Sequence, residues 1–258
     1  LSDQGCMCNT TSHTRVTCRW AGVFGQRTDL ADALFTLQRN VSIGVGFGCD
    51  SQTRTSTRWD SSCLFASVSV PALGLAVVRY NSGATSWQEY GGASVQLSPA
   101  MQRNGSDATR AMEAYWVNWA SSDPLSSSWD WAQDATQRTM LALAQVRGVR
   151  TVELFSNSPV WWLCDNHNPG GAVNGGDNLM AWQTRNHSVY LATIAAYAAE
   201  HWGVEFTSIE PFNEPSAWWW KGQTATQEGC HVDGTTQQAL VLSLREELDK
   251  RGLTSVLV

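Results

Sequence analysis

The stretch "VEFTSIEPFNEP", residues 204–215, decides how this chain is read. An apolar, β-rich run leads into Asn213, Glu214 and Pro215, and three consecutive indoles, Trp218, Trp219 and Trp220, follow after a short spacer. Polar groups gathered where a buried strand hands over to a loop are the arrangement that α/β folds use to present chemistry. The pattern on either side shows which α/β fold it is.

Upstream, "LGLAVVRYN" (73–81) and "VRTVELFSN" (149–157) repeat the theme, ending in Arg79 with Asn81 and in Asn157. Helical spacing lies between them in "DATQRTMLALAQVRG" (134–148), closed by Gly148, and then in "HSVYLATIAAYAAEHWG" (187–203). Downstream, "TTQQALVLSLREELDKRG" (235–252) reads as a helix and "LTSVLV" (253–258) as a strand. The order is βαβαβαβ with near-continuous apolar strands, which fits a doubly wound sheet or a (β/α)8 barrel. No Gly-rich fingerprint follows the first legible strand, which disfavours a dinucleotide-binding fold. Polar residues at the carboxyl ends of several strands favour the barrel.

Near the start, "DLADALFTLQ" (29–38) reads as an amphipathic helix. Residues 41–71 are rich in Gly, Ser and Thr without a sustained period, and read as an insertion. Residues 1–70 are therefore set apart as an atypical N-terminal segment, carrying the first crossover helix and an inserted or mis-spliced stretch. Residues 71–258 form the α/β part, a partial (β/α)8 TIM barrel containing strands two to five. Four strands are legible against the eight of a closed barrel, and the sequence stops inside an apolar run. A barrel truncated on its C-terminal side is the expectation.

Composition narrows the function. The net charge is −6 and the 17 basic residues are scattered, so no nucleic-acid partner is expected. No apolar run is long enough to span a membrane, and the amino-terminal "LSDQGCMCNTTSHTR" has no apolar signal-peptide core, although Leu1 is not an initiating residue. Sequons at Asn9, Asn40, Asn104 and Asn186 point to secretion, and a monomer is the expectation for its oligomeric state. The seven cysteines are Cys6, Cys8, Cys18, Cys49, Cys63, Cys164 and Cys230; Cys164 with Cys230 forms a plausible disulfide between loops that follow neighbouring strands. The "CMC" spacing lacks a second half, and His167, His187, His201 and His231 have no ligand spacing, so neither metal nor cofactor is expected.

The most unusual number is 14 tryptophans. Each indole N–H needs a partner when buried, whereas a groove that stacks on flat, polar ligand faces uses many of them. Trp161 and Trp162, with Trp218, Trp219 and Trp220, are the candidate stacking residues. Glu214 is the candidate catalytic carboxyl, able to protonate a departing glycosidic oxygen if its surroundings suit; its other reading is a carboxylate at a helix N-terminus. Asn213, Asn81 and Asn157 are candidate sugar contacts. Arg79 has two readings, a sugar contact or a bridge between strand ends. Glu153 and Glu210 lie within strands and read as structural carboxylates of a barrel interior. Glycoside hydrolysis uses two carboxylates, and the best local second one, Asp165, lies beyond a loop.

Several long strings, "GLAVVRYN", "YWVNWASSDP", "WDWAQDATQRTMLALAQVRGV", "ELFSNSPVWWLCDNHNPGG", and "FTSIEPFNEPSAWWW" followed by "TQEGCH", together resemble glycoside hydrolase family 30, most closely its fungal endo-β-1,6-galactanase branch. The resemblance covers residues 71–258 and the helix at 27–38. It implies a (β/α)8 barrel and retaining cleavage of a polysaccharide or oligosaccharide. The acid/base of the Asn-Glu-Pro motif then corresponds to Glu214, its neighbouring sugar contact to Asn213, and the strand-two arginine to Arg79. It also implies a nucleophilic Glu after the seventh strand, downstream of this sequence, so that the chain as it stands is inactive. Where the family opens with a Gly- and Trp-rich first strand, "TSHTRVTCRWAGVFG" keeps only the tail.

Overall fold

The computed structural model describes residues 28–36, 40–45, 66–101 and 111–258. Its centre is a parallel sheet of β3 (Val77–Asn81), β4 (Thr151–Phe155) and β5 (Ser208–Glu210), in that order. Register aligns Arg79 with Glu153, and Phe155 with Glu210. The segment read as a last strand makes one parallel bridge, Leu257 beside Ser208, with the Ile209 N–H donating to the Leu257 carbonyl at 2.8 Å. Parallel strands with helical crossovers make this an α/β fold, an incomplete (β/α)8 barrel.

The helices are α1 (Thr28–Phe35), α2 (Ala135–Val146), α3 (Thr184–Tyr197) and α4 (Gly234–Lys250). α2 ends where Gly148 takes φ +99°, a conformation a side chain would resist. α3 starts three residues before the sequence suggested and runs on through a π-turn, Ala198–Trp202, to Gly203. α4 is capped by Asp233, whose side chain accepts the Thr236 N–H at 2.7 Å.

The strands are shorter than their apolar runs. Residues 73–76 leave the sheet because Leu73 and Leu75 donate to the Ala33 and Leu34 carbonyls, closing the open end of α1. Pro211, which has no N–H to donate, follows the last residue of β5. The stretch read as an insertion contributes two paired antiparallel strands, β1 (Asn40–Val45) and β2 (Ala66–Pro71). Residues 1–27 and 46–65 lie outside the described residues.

Alternation along the strands divides the sheet into two faces. Tyr80, Val152, Leu154 and Ile209 are buried in the main core with residues of α2, α3 and α4. Arg79, Glu153, Phe155 and Glu210 occupy the other face. α3 is buried on most of its circumference and packs along α4 through Leu191, Ile194, Leu240, Leu244 and Leu248. Removing one methyl there, as in Ile194→Val, is expected to cost about 1 kcal/mol and lower Tm by about 2–4 °C in a thermal melt.

Many of the tryptophans are structural. Trp116 stacks on Trp129 at 5.0 Å and meets Trp162 edge-on at 4.8 Å, while Trp131 stacks on Tyr197 at 3.6 Å. Three of their N–H groups are served by nearby carbonyls, Trp116 by Ser121, Trp131 by Pro124 and Trp162 by Trp116, while Trp129 Nε1 is buried with no hydrogen-bond partner among the described residues. The long connection after β3 is thus an aromatic layer over the helices.

Candidate active site at the carboxyl edge of the sheet

Parallel register brings Arg79, Glu153 and Glu210 together on the open face. The guanidinium lies 3.9 Å over the Phe155 ring, and its Nε meets Glu153 Oε1 at 2.9 Å. Its Nη2 contacts Glu210 Oε2, and its Nη1 donates to Asn213 Oδ1 at 3.5 Å. Ser208 Oγ completes the group with a 3.2 Å bond to Glu153 Oε2. Arg79 therefore bridges the strand ends, with Glu153 and Glu210 as its counter-ions.

Glu214 follows directly, exposed at the edge where β5 becomes loop. Its φ is +49°, in the left-handed region that few residues other than glycine occupy. Its carbonyl accepts two hydrogen bonds, from the Ala217 N–H at 3.0 Å and from Trp220 Nε1 at 3.0 Å. It does not start a helix, since turns and irregular chain fill the interval to α4. Asn213 is half-buried beside it and tied to Arg79.

The structure corrects several expected sugar contacts. Trp161, Trp162 and Trp220 are 0%, 3% and 5% exposed, so none has a free face for stacking. Their indoles fill the space between loops, where burial of aromatic area outweighs display. Asn81 is buried and turns its Oδ1 back to the Gly83 N–H at 3.0 Å, shaping the loop after β3. Asn157 is buried too, and lines a small internal cavity with His187, Pro211 and Cys230. Trp218 and Trp219 remain as candidates: they are 69% and 50% exposed, stand edge-on at 6.0 Å, and have Lys221 Nζ 5.5 Å from the Trp218 ring.

The loops after β4 and β5 interlock beneath these two indoles. Ala172 bridges to Lys221 and Asp177 to His231, whose Nδ1 meets the Asp177 carboxylate at 2.7 Å. Asn168 Nδ2 donates to the Gly222 carbonyl at 2.9 Å. Cys164 and Cys230 sit in this interlock as free, buried thiols, which overturns the expected disulfide. The Cys164 thiol donates to the Pro159 carbonyl at 3.5 Å and the Cys230 thiol to the His231 carbonyl at 3.1 Å. Burial holds Cys230 protonated, pushed up to about 12. The other five cysteines lie outside the described residues. Asp165 is exposed in the loop after β4, and among the described residues no hydrogen bond joins it to the Arg79 group.

Two buried titratable residues escaped the reading of the sequence as contributors to this region. His187 in α3 places Nε2 3.2 Å from the Pro211 carbonyl, and burial lowers its pKa to about 4, so the ring is neutral and Nε2–H is the donor. Glu228 is fully buried in the loop after β5; its Oε1 accepts from Thr85 Oγ1 at 2.7 Å and from the Met112 N–H at 2.8 Å. Burial pushes its pKa up to about 8. In sequence it is one acidic residue among polar neighbours, with no periodicity to mark it as interior.

The family model for O-Glycosyl hydrolase family 30 matches residues 67–258. The chain is 43% identical over 236 residues to the endo-beta-1,6-galactanase of Hypocrea rufa, a match covering 92% of this chain and 43% of that protein. Among solved structures, a conserved exported protein from Bacteroides fragilis superimposes with a TM-score of 0.61 at 16% identity, over 94% of this chain and 42% of the other. The catalytic domain of GH30 xylanase C from Talaromyces cellulolyticus gives a TM-score of 0.49 at 16% identity, over 71% of this chain and 36% of the other. The chain thus spans less than half the length of these relatives.

Proposed function

Since the chain belongs to glycoside hydrolase family 30, we propose that it carries the acid/base half of a retaining endo-β-1,6-galactanase acting on the side chains of arabinogalactan-like polysaccharide. The carrying observation is Glu214: an exposed carboxyl at the carboxyl edge of a parallel sheet, on a backbone held at φ +49°, with exposed Trp218 and Trp219 close behind. In this reading Glu214 protonates the leaving oxygen while a second Glu attacks the anomeric carbon, and Glu214 then deprotonates the water that releases the sugar. Trp218 and Trp219 offer apolar ring faces to the sugar, and no cofactor takes part. The galactan preference rests on the 43% identity to the Hypocrea rufa protein.

Retention needs the second carboxylate about 5–5.5 Å from the first. Glu153 and Glu210, the acids on the open face of the sheet, are both engaged by Arg79. We therefore place the nucleophile outside the described residues. Secretion belongs to the same proposal, supported by the sequon at Asn40, which is exposed at the start of β1; Asn186 is half-buried in the first turn of α3 and bonded to Gln183. Asn9 and Asn104 lie outside the described residues.

The test is release of reducing ends from β-1,6-galactan. The purified 258-residue chain is expected to release none. A chimera with residues 67–258 in place of the matching part of the Hypocrea rufa enzyme is expected to release them. Cleavage by the chain alone would overturn the placement of the nucleophile. A chimera that cut β-1,6-glucan or xylan in preference to galactan would overturn the substrate.

A further inference from the structure

Behind Glu214, three loops meet at one buried carboxyl. Glu228, in the loop after β5, is hydrogen-bonded from the connection after β3, by Thr85 Oγ1 at 2.7 Å and the Met112 N–H at 2.8 Å. Both end on Oε1. The second oxygen is buried with no hydrogen-bond partner among the described residues, the place for the proton of a neutral acid. The next residue, Gly229, donates its N–H to the Pro169 carbonyl at 2.8 Å, so the loop after β4 is held as well.

Gly229 has a second consequence. Its bare Cα lies flat against the Trp220 indole, and a Cβ at this position would stand 2.2 Å from Trp220 Cε3. On the backbone side of the same residue, Gly171 at φ +113° comes so close that its Cβ would lie 2.3 Å from the Trp220 carbonyl oxygen. Only glycine permits either approach. The indole is thus wedged in one orientation, and there its Nε1 donates to the Glu214 carbonyl at 3.0 Å. Glu214 stands at φ +49°, a conformation that persists only where the surroundings hold it.

We propose that Trp220 and Glu228 are positioning residues for Glu214: the buried carboxyl of Glu228 pins the loop, Gly229 seats the indole, and the indole holds the Glu214 backbone in the left-handed conformation that leaves its carboxyl exposed at the sheet edge. The proposal rests on Glu214 being the acid/base. It gives Trp220 a function other than stacking on sugar, and it gives a role to a carboxyl that touches no substrate.

The test uses the intact 258-residue chain labelled with ¹⁵N. Trp220→Phe assigns the Trp220 indole resonance, and Glu214→Gln assigns the backbone amide of residue 214. The Trp220 indole N–H is expected to exchange with solvent at least about ten-fold more slowly than that of exposed Trp218. Trp220→Phe, which keeps a ring and removes the donor, is expected to shift the Glu214 amide. Glu228→Ala is expected to abolish the indole protection and shift the same amide, whereas Glu228→Gln, which keeps the Oε1 acceptor and neutrality, retains both signals. Thr85→Val removes one donor at little cost in shape and moves both resonances in the same direction, so the relay is tested even where Glu228→Ala does not fold. Unmoved Trp220 and Glu214 resonances in folded Thr85→Val, or an unmoved Glu214 amide in Trp220→Phe, overturn the proposal. These resonances report the relay independently of turnover, so a failure of the acid/base assignment, read from catalysis, is separable from a failure of the relay.

Discussion

Glu214→Gln, placed in the chimera that carries residues 67–258, is expected to lower turnover of β-1,6-galactan by about 10²–10⁴-fold. Gln keeps the size of Glu and the ability to accept a hydrogen bond, but has no proton to give a departing alkoxide. The loss should therefore depend on the leaving group. An aryl galactoside with an acidic phenol leaves without help, so its glycosylation step is expected to be nearly untouched. Release of the glycosyl-enzyme still lacks a base for water, and azide, which needs none, is expected to restore turnover with such a substrate. Equal losses on galactan and on the activated substrate, with no azide effect, would mean that Glu214 has a structural role and that the proton donor lies elsewhere.

The stability of the chain is expected to fall as pH rises from about 6.5 to about 8, and Glu228→Gln is expected to remove that fall. Folded Glu228 keeps its proton up to about 8, while the unfolded chain loses it near 4.5. Across that window the unfolded state binds fewer protons, so stability is fully present below 4.5 and declines by about 1.4 kcal/mol per pH unit until about 8. His187 acts in the opposite direction. Unfolded, it takes a proton below 6.5, but its buried ring resists protonation down to about 4. Its contribution is present above 6.5 and is lost as pH falls to about 4, with the same slope.

The two slopes offset each other between about 4.5 and 6.5, leaving Glu228 alone above that, for a net loss of about 2 kcal/mol by pH 8. With Gln at 228, stability should instead rise from pH 4 to 6.5 and then level off. The difference between variant and parent should change by about 5 kcal/mol over the whole range. Urea midpoints at a series of pH values measure it. Parallel profiles for the two proteins would show that Glu228 is ionised in the folded state at neutral pH.

The polar ends of the strands were legible in the sequence because each sits one or two residues beyond an apolar run. Arg79 was legible as a strand-end residue with two roles open, and register gave it the bridging one by setting Glu153 beside it and Glu210 one strand further. The stacking role assigned to Trp161, Trp162 and Trp220 failed for a physical reason. An indole in sequence carries no mark of which face will be covered, and these were covered by residues far along the chain. Trp218 and Trp219, immediate neighbours of Trp220, stayed exposed because they lie outside the wedge made by Gly171 and Gly229. Nor does the spacing of Cys164 and Cys230 reveal that each thiol faces a nearby carbonyl.

By itself, the sequence determined the order of the helices and of the three parallel strands, the helix-ending glycines at Gly148 and Gly203, and the placing of Asn213 and Glu214 at a carboxyl edge. These depend on propensity and periodicity, which act between neighbours a few residues apart. Only the tertiary structure decided which indoles are core and which are surface, that Arg79 is held by two carboxylates, that Glu228 is buried, and that Trp220 Nε1 reaches the carbonyl of left-handed Glu214. Burial and hydrogen-bond partners come from distant chain: Thr85 and Glu228 are 143 residues apart in sequence and 2.7 Å apart in space. The charge and orientation of a side chain follow from those partners, and folding alone brings them together.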